Sequence, residues 1–312
     1  FVYKTLIKKG IISPEDFTEQ TLRKYIHVNK LFDSKKIKAR KKYEMSHINQ
    51  LWVADFSELR IYTGNKKKRT KKVYLCAIID DFSRVIVGYN FSFNENIVSL
   101  IKAFKDAIKR FGKPQKFYCD NGSSFASKAF SEINAKLNIA LIHSKPYDPS
   151  SRGKIERFFH TMKMSFSPAL YNITITLAEL NKHFSIWLED EYHKKLHKSI
   201  SDTPMNRYLD DIKNTNIDKI PDNMIDRLFM VPDNRKVNHD STISWHKSLY
   251  EVDPKYIGSR IELRSPADNP EILFLYESDD TIIKLKKVDA KLNANPPHIS
   301  LSYLKLLNQE VK

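Results

Sequence analysis

Tyr118-Cys119-Asp120-Asn121-Gly122-Ser123-Ser124-Phe125 is the stretch from which the rest of the chain can be read. Lys116 to Cys119 has the apolar and aromatic content of a short strand, and the Asp-Asn-Gly behind it is turn chemistry. Asp120 is therefore lifted off the sheet edge at the strand's end. Thirty-five residues separate it from Glu156, which lies in Gly153-Lys154-Ile155-Glu156-Arg157-Phe158-Phe159. Pro146, Pro149, Ser150, Ser151 and Gly153 keep the preceding segment irregular, and apolar periodicity begins at Ile155, so Glu156 falls near the start of a helix. Upstream, Trp52-Val53-Ala54-Asp55-Phe56-Ser57 sets a third carboxylate inside a strand-like run. Two strand aspartates and a helix glutamate can converge on a divalent metal.

Outward from these words the pattern is strand, strand, strand, helix, strand, helix, strand. Leu51 to Ile61, Val73 to Ile79 and Val85 to Phe91 read as an antiparallel meander, with Asp80-Asp81-Phe82-Ser83 as its second turn. Ile97, Ile101, Phe104, Ile108 and Phe111 recur at helical spacing, and Gly112 ends that helix. The strand ending at Asp120, a helix near Lys128 to Leu137 and a short strand from Ala140 to His143 complete the series. Leu177 to Leu196 reads as a further helix with Leu180, Phe184, Trp187, Leu188 and Tyr192 on one stripe, and Thr203-Pro204 closes the unit.

Taken together, the three acidic words resemble the DDE transposase and retroviral integrase superfamily, and within it bacterial transposases with a Mu-type C-terminal domain. The resemblance spans roughly residues 45 to 290, and three words in order are far more specific than one. It implies an α/β fold: an RNase H-like mixed sheet with helices, preceded by a partial helix-turn-helix and followed by a small β-barrel. It implies that Asp55, Asp120 and Glu156 are both catalytic and metal-holding, with Asp120 bridging two ions. Mg²⁺ is the expected ion, with Mn²⁺ as a substitute and two ions per active site. Hard cations of this kind take oxygen ligands, and in-line displacement at phosphorus uses a pair about 3.5–4 Å apart. The implied activity is cleavage at element ends and strand transfer into target DNA. The implied partners are double-stranded DNA, as element ends and target, and further copies of the chain assembled on it; no membrane is involved. The expected location is cytoplasmic, nucleoid-associated when bound to DNA. Two other readings stay open: a catalytically inactive DNA-binding relative, and an RNase H-like nuclease, against which the barrel and the helix-turn-helix remnant count. A tyrosine recombinase would need a different constellation and fold.

Charge agrees with a polyanionic partner: 53 Lys and Arg against 37 Asp and Glu give +16. Six of eight residues in Lys35 to Lys42 are basic (Lys35, Lys36, Lys38, Arg40, Lys41, Lys42), as are six of seven in Lys66 to Lys72. The first run is a linker that tracks phosphates, and the second, including Lys66, Lys67, Lys68 and Arg69, a DNA-contacting hairpin tip. Lys154, Arg157, His160 and Lys163 are candidate DNA contacts around Glu156, with His160 and Lys163 on its helix face. Before the linker lie two short helical patterns, with Thr18 as N-cap of the second. They read either as the end of a helix-turn-helix or as a helical hairpin with no DNA role.

Other features carry bland explanations. Asp80 and Asp81 read as turn residues capping amides near Ser83 and Arg84, although Asp80 could lie level with Asp55; Asp148 is a loop acid. His193 and His197 have a zinc-compatible spacing, but no third ligand is placed to join them. Cys76 and Cys119 read as core thiols, and without a Cys-x-x-Cys these residues lack the zinc domain that fronts retroviral integrases. No run of eighteen apolar residues exists, and nothing at the start resembles a secretory signal. The chain begins at Phe1 rather than Met, so an upstream piece is expected. The expected boundaries are 1–44 for the helix-turn-helix segment and linker, 45–222 for the catalytic domain, 223–290 for the barrel and 291–312 for an appended arm. The barrel strands are expected from Arg235, Ser248, Arg260, Ile272 and Thr281.

Overall fold

The computed structural model describes residues 2–29, 31, 43–63, 69–144, 152–171, 173–267, 269–278 and 281–289. They divide into two units, Phe1–Tyr43 and Glu44–Lys312. In the first, α1 (Val2–Lys8) and α2 (Glu19–Val28) contain no buried residue. Thr18 caps α2 as expected, its hydroxyl accepting the Thr21 N–H at 3.3 Å. The basic run from Lys35 to Lys42 lies outside the described residues.

The second unit is built on a five-stranded sheet in the order β3-β2-β1-β4-β5. β1 (Leu51–Thr63), β2 (Arg69–Asp80) and β3 (Ile86–Ser92) form the antiparallel meander. The chain then crosses through α3 (Ile97–Phe111) to β4 (Lys116–Cys119), parallel to β1, and through α4 (Lys128–Lys136) to β5 (Ala140–His143), parallel to β4. This is the mixed RNase H-like sheet that the sequence implied.

Strand alternation decides where the site can form. Trp52, Ala54, Cys76, Ile78, Phe117 and Cys119 all enter one buried cluster with α3 and α4, so the intervening positions Asp55 and Tyr118 belong to the opposite face. In the α3-side cluster, aromatic rings lock Phe104 to Phe117 and Phe130 with centroids 4.9 and 5.4 Å apart. Gly88 permits α3 to lie this close, because a Cβ there would sit 2.2 Å from the Ala103 carbonyl oxygen.

On the opposite face lies α5 (Gly153–Ala169), followed by α6 (Leu177–Trp187). Phe158, Phe166, Phe184 and Trp187 pack with Tyr89 and Phe91 there. The helix expected to reach Leu196 stops being α-helical at Trp187 and continues as one π-helical turn, Leu188–Tyr192. Thr203-Pro204 starts a helix instead of ending a unit. The Thr203 hydroxyl caps α7 (Pro204–Asp211), accepting Asn206 N–H at 3.2 Å, and Pro204 sits where a missing N–H costs nothing.

After α8 (Asp222–Leu228), seven strands make two sheets. β6 (Met230–Lys236), β9 (Arg260–Pro266), β10 (Phe274–Ser278) and β11 (Thr281–Lys284) form one, in the order β11-β10-β9-β6. β7 (Thr242–Trp245), β8 (Ser248–Glu251) and β12 (Lys286–Lys287) form the other. Both enclose one core of Val237, Ile243, Trp245, Tyr250, Val252, Ile261, Leu263, Leu273, Leu275 and Leu285. The expected division at residue 222 passes through shared packing: Ile225, Phe229 and Ala267 belong to the α3-side cluster, with Phe229 5.5 Å from Phe104.

Candidate active site

β1 and β4 run parallel, with Val53 opposite Tyr118 as their last pair. Two residues beyond that pair, Asp55 lies within β1 and Asp120 just past the end of β4, both near Arg152 on the α5 face. Backbone amides orient both. Asp55 Oδ1 accepts its neighbour Phe56 N–H at 2.8 Å, and Asp120 Oδ1 accepts Gly122 N–H at 2.7 Å. A Cβ at Gly122 would come within 2.8 Å of Asp120 Oδ1, so a larger residue there would push that carboxylate oxygen aside.

The remaining oxygens face a cation. Arg152, the residue before α5, places Nη1 3.4 Å from Asp120 Oδ2 and 3.9 Å from Asp55 Oδ2. Glu156 is exposed one turn into α5, and its N–H donates to the Arg152 carbonyl at 2.9 Å. Burial pushes the Asp55 carboxyl up to about 6, a rise opposed by the Phe56 amide and by Arg152, and reinforced by the negative charges of Asp120 and Glu156. The three expected acids thus share one electrostatic neighbourhood. As they stand they are not a closed ligand set: among the described residues no group of three or more His, Cys, Asp or Glu could hold a metal ion. Their chemistry nonetheless fits a hard cation, since one carboxylate oxygen of each aspartate already faces positive charge.

The competing acids are committed elsewhere. Asp80 pairs with Trp52, not with Asp55, whose partner is Ala77. Asp80 Oδ1 accepts Ser83 N–H at 2.8 Å and its hydroxyl at 2.7 Å, while Oδ2 accepts Asn49 N–H at 2.8 Å. Asp81 Oδ2 accepts Met45 N–H at 2.9 Å, and Oδ1 lies 2.5 Å from Lys154 Nζ. Lys154, expected to face DNA, is thereby turned inward to a fully buried carboxylate. His193 is also structural: its Nε2 accepts Ile86 N–H at 3.1 Å, and burial lowers its pKa to about 3.

Arg157, His160 and Lys163 are exposed on α5 as expected. Lys66, Lys67, Lys68 and the Arg69 side chain lie outside the described residues. Arg152 was missed by the sequence reading; a lone arginine before a helix has no pattern to distinguish it. Asn49 was missed too, although it joins three elements by bonding Trp52 Nε1, the Phe111 carbonyl and Tyr208.

Residues 46–149 match the integrase core domain family. The chain is 31% identical to the transposase of transposon Tn552 from Staphylococcus aureus over 257 residues, which is 76% of this chain and 53% of that protein. It is 30% identical to the Gag-Pol polyprotein of avian reticuloendotheliosis virus over 112 residues, 36% of this chain and 9% of that one. Among solved structures, the HTLV-2 integrase catalytic core domain in complex with magnesium is 22% identical, with a TM-score of 0.41, across 52% of this chain and 98% of that one. The chain is thus similar to integrase core domains over residues 46–149 and to a bacterial transposase over a longer stretch. It spans about half the length of the transposase it matches.

Proposed function

We propose that the chain is a DDE-type DNA transposase, catalysing metal-dependent cleavage at element ends and strand transfer into target DNA. The observation that carries this reading is the meeting of Asp55 and Asp120 just past the last parallel pair of β1 and β4, with Glu156 one helical turn above the residue that lies between them. Asp55, Asp120 and Glu156 would hold Mg²⁺, or Mn²⁺ in its place, with two ions per site. Held by these carboxylates, such ions would supply activation of the attacking oxygen and charge neutralisation at the leaving one.

The chain's own residues supply the rest. Phe56 and Gly122 amides fix one oxygen of each aspartate, which sets the orientation of both carboxylates before an ion loads. Arg157, His160 and Lys163 present a basic face on the glutamate's helix for the phosphates of a DNA end. The linker run from Lys35 to Lys42, the tip Lys66 to Arg69 and the helices of residues 1–44 add affinity for double-stranded DNA, and the two-sheet module of 223–290 serves assembly on it. Several copies of the chain act together there. No helix among the described residues is long and apolar enough to cross a membrane, and a cytoplasmic, nucleoid-associated location follows from the proposed substrate.

The test is direct. Labelled element ends with the protein and Mg²⁺ should give a free 3′-OH and joined product. An intact, DNA-binding protein that yields neither would favour the catalytically inactive relative, and cutting of RNA–DNA hybrids without joining would favour the nuclease.

A further inference from the structure

The cation at the site belongs to the chain itself, and its seat is unusual. In both aspartates Oδ1 is tied to a backbone amide, and in both Oδ2 is the oxygen facing Arg152. A guanidinium recognising a carboxylate in a stable pair uses two parallel N–H groups. Arg152 instead approaches two carboxylates with one nitrogen, Nη1, at 3.4 and 3.9 Å, and its Nε is buried with no acceptor among the described residues. An unmet buried donor opposes this placement, so charge rather than fit holds the side chain between the acids.

We propose that Arg152 is a positioning residue that occupies the cation seat of the metal-free centre, so that a divalent ion binds between Asp55 and Asp120 only by displacing its guanidinium. This rests on reading the acids as a metal centre. Arg152 and Glu156 share one helical turn, joined by the 2.9 Å bond from Glu156 N–H to the Arg152 carbonyl, so the seated arginine lies beside the third carboxylate's turn. With the arginine seated, no three acids among the described residues could hold an ion. The arginine keeps the two aspartates from repelling one another until metal arrives.

The experiment measures Mn²⁺ binding to the full chain without DNA, by loss of the free-ion electron paramagnetic resonance signal. Arg152→Ala should bind Mn²⁺ about tenfold more tightly than the native protein, an ordinary size for coupling between two ligands, and Arg152→Lys should fall between them. Unchanged or weaker binding by a folded Arg152→Ala protein would overturn the proposal. Should that variant fail to fold, the native chain decides: the Arg152 Nε–Hε resonance, assigned by its disappearance in Arg152→Lys, should shift on Mg²⁺ titration. A resonance that stays put while the ion binds overturns the proposal alone. No divalent binding in any variant overturns it together with the metal-centre reading.

Discussion

Two pairs of aspartates share one sheet and meet opposite fates. Asp80 and Asp81, at the end of β2, are fully buried, and each of their four oxygens has a donor: Asn49, Ser83, Met45 or Lys154. Asp55 and Asp120 are partly exposed, each with one oxygen tied to an amide and the other turned to a single arginine. Carboxylates whose lone pairs are all spent hold a fold together. Those with an oxygen to spare, clustered against their mutual repulsion, are available for a ligand. The difference separates the two pairs more sharply than acidity does, since burial pushes both Asp55 and Asp80 up to about 6.

The widest gap between the pairs should appear in chemistry. Asp55→Asn, Asp120→Asn and Glu156→Gln should each cut strand transfer by about a thousandfold or more, roughly 4 kcal/mol of barrier, while DNA binding measured by gel shift survives. Asp80→Asn should still join ends. Joining by Asp55→Asn at near-native rate would erase the distinction.

Stability should respond in reverse. Removing one partner of the Lys154–Asp81 pair, as Lys154→Met or Asp81→Ala, leaves an uncompensated charge in a site where Asp81 is fully buried. Denaturant unfolding should show a loss of about 3–5 kcal/mol. Lys154→Met with Asp81→Asn together should recover much of it. If Lys154→Met instead weakens DNA binding without loss of stability, the lysine faces DNA after all.

Acid sharpens the contrast at the open site. Asp55 titrates near 6 in the folded chain, above the ordinary carboxylate range, so below that pH a proton competes with any cation. Metal affinity should be flat above about pH 6 and fall about tenfold per unit beneath it. Asp55→Asn should remove that dependence; calorimetric titration at pH 5, 6 and 7 would decide.

A final effect, spread over a wide pH range, concerns His193, a buried base outside both pairs. Its folded pKa lies near 3, below the unfolded value of about 6.5, so the stability it contributes is present above pH 6.5 and is lost as pH falls toward 3. His193→Gln keeps an acceptor for Ile86. The native protein should lose up to about 1.4 kcal/mol per pH unit relative to this variant in that window. Parallel pH–stability curves would show that the imidazole does not titrate between them.

Much was legible beforehand because local chemistry and tertiary structure agreed. α3 runs from Ile97 to Phe111 and stops at Gly112, as the 3.6-residue spacing and the glycine demanded. β4 and β5 have their expected bounds because turn residues bracket short apolar runs. The strand Thr242–Trp245 escaped notice for an equally local reason. Its tight turn to Ser248 is made by His246 and Lys247 at φ 43° and 65°, where asparagine and glycine are the recognisable residues. Thr203-Pro204 is ambiguous in one dimension, since proline both ends helices and begins them.

Residue types and their order alone determined the mixed sheet, the two aspartates at it, the glutamate on the following helix and the basic balance of the chain, because periodicity and turn chemistry act over a few residues. Only the tertiary structure decided which acids are spent and which have an oxygen to give. That depends on donors distant in sequence: Asn49 reaches Asp80, Lys154 reaches Asp81, and Arg152 comes to lie between Asp55 and Asp120. Strand alternation and the packing of α5 bring these groups within hydrogen-bonding or ion-pairing range, and no local pattern encodes a distance of that kind.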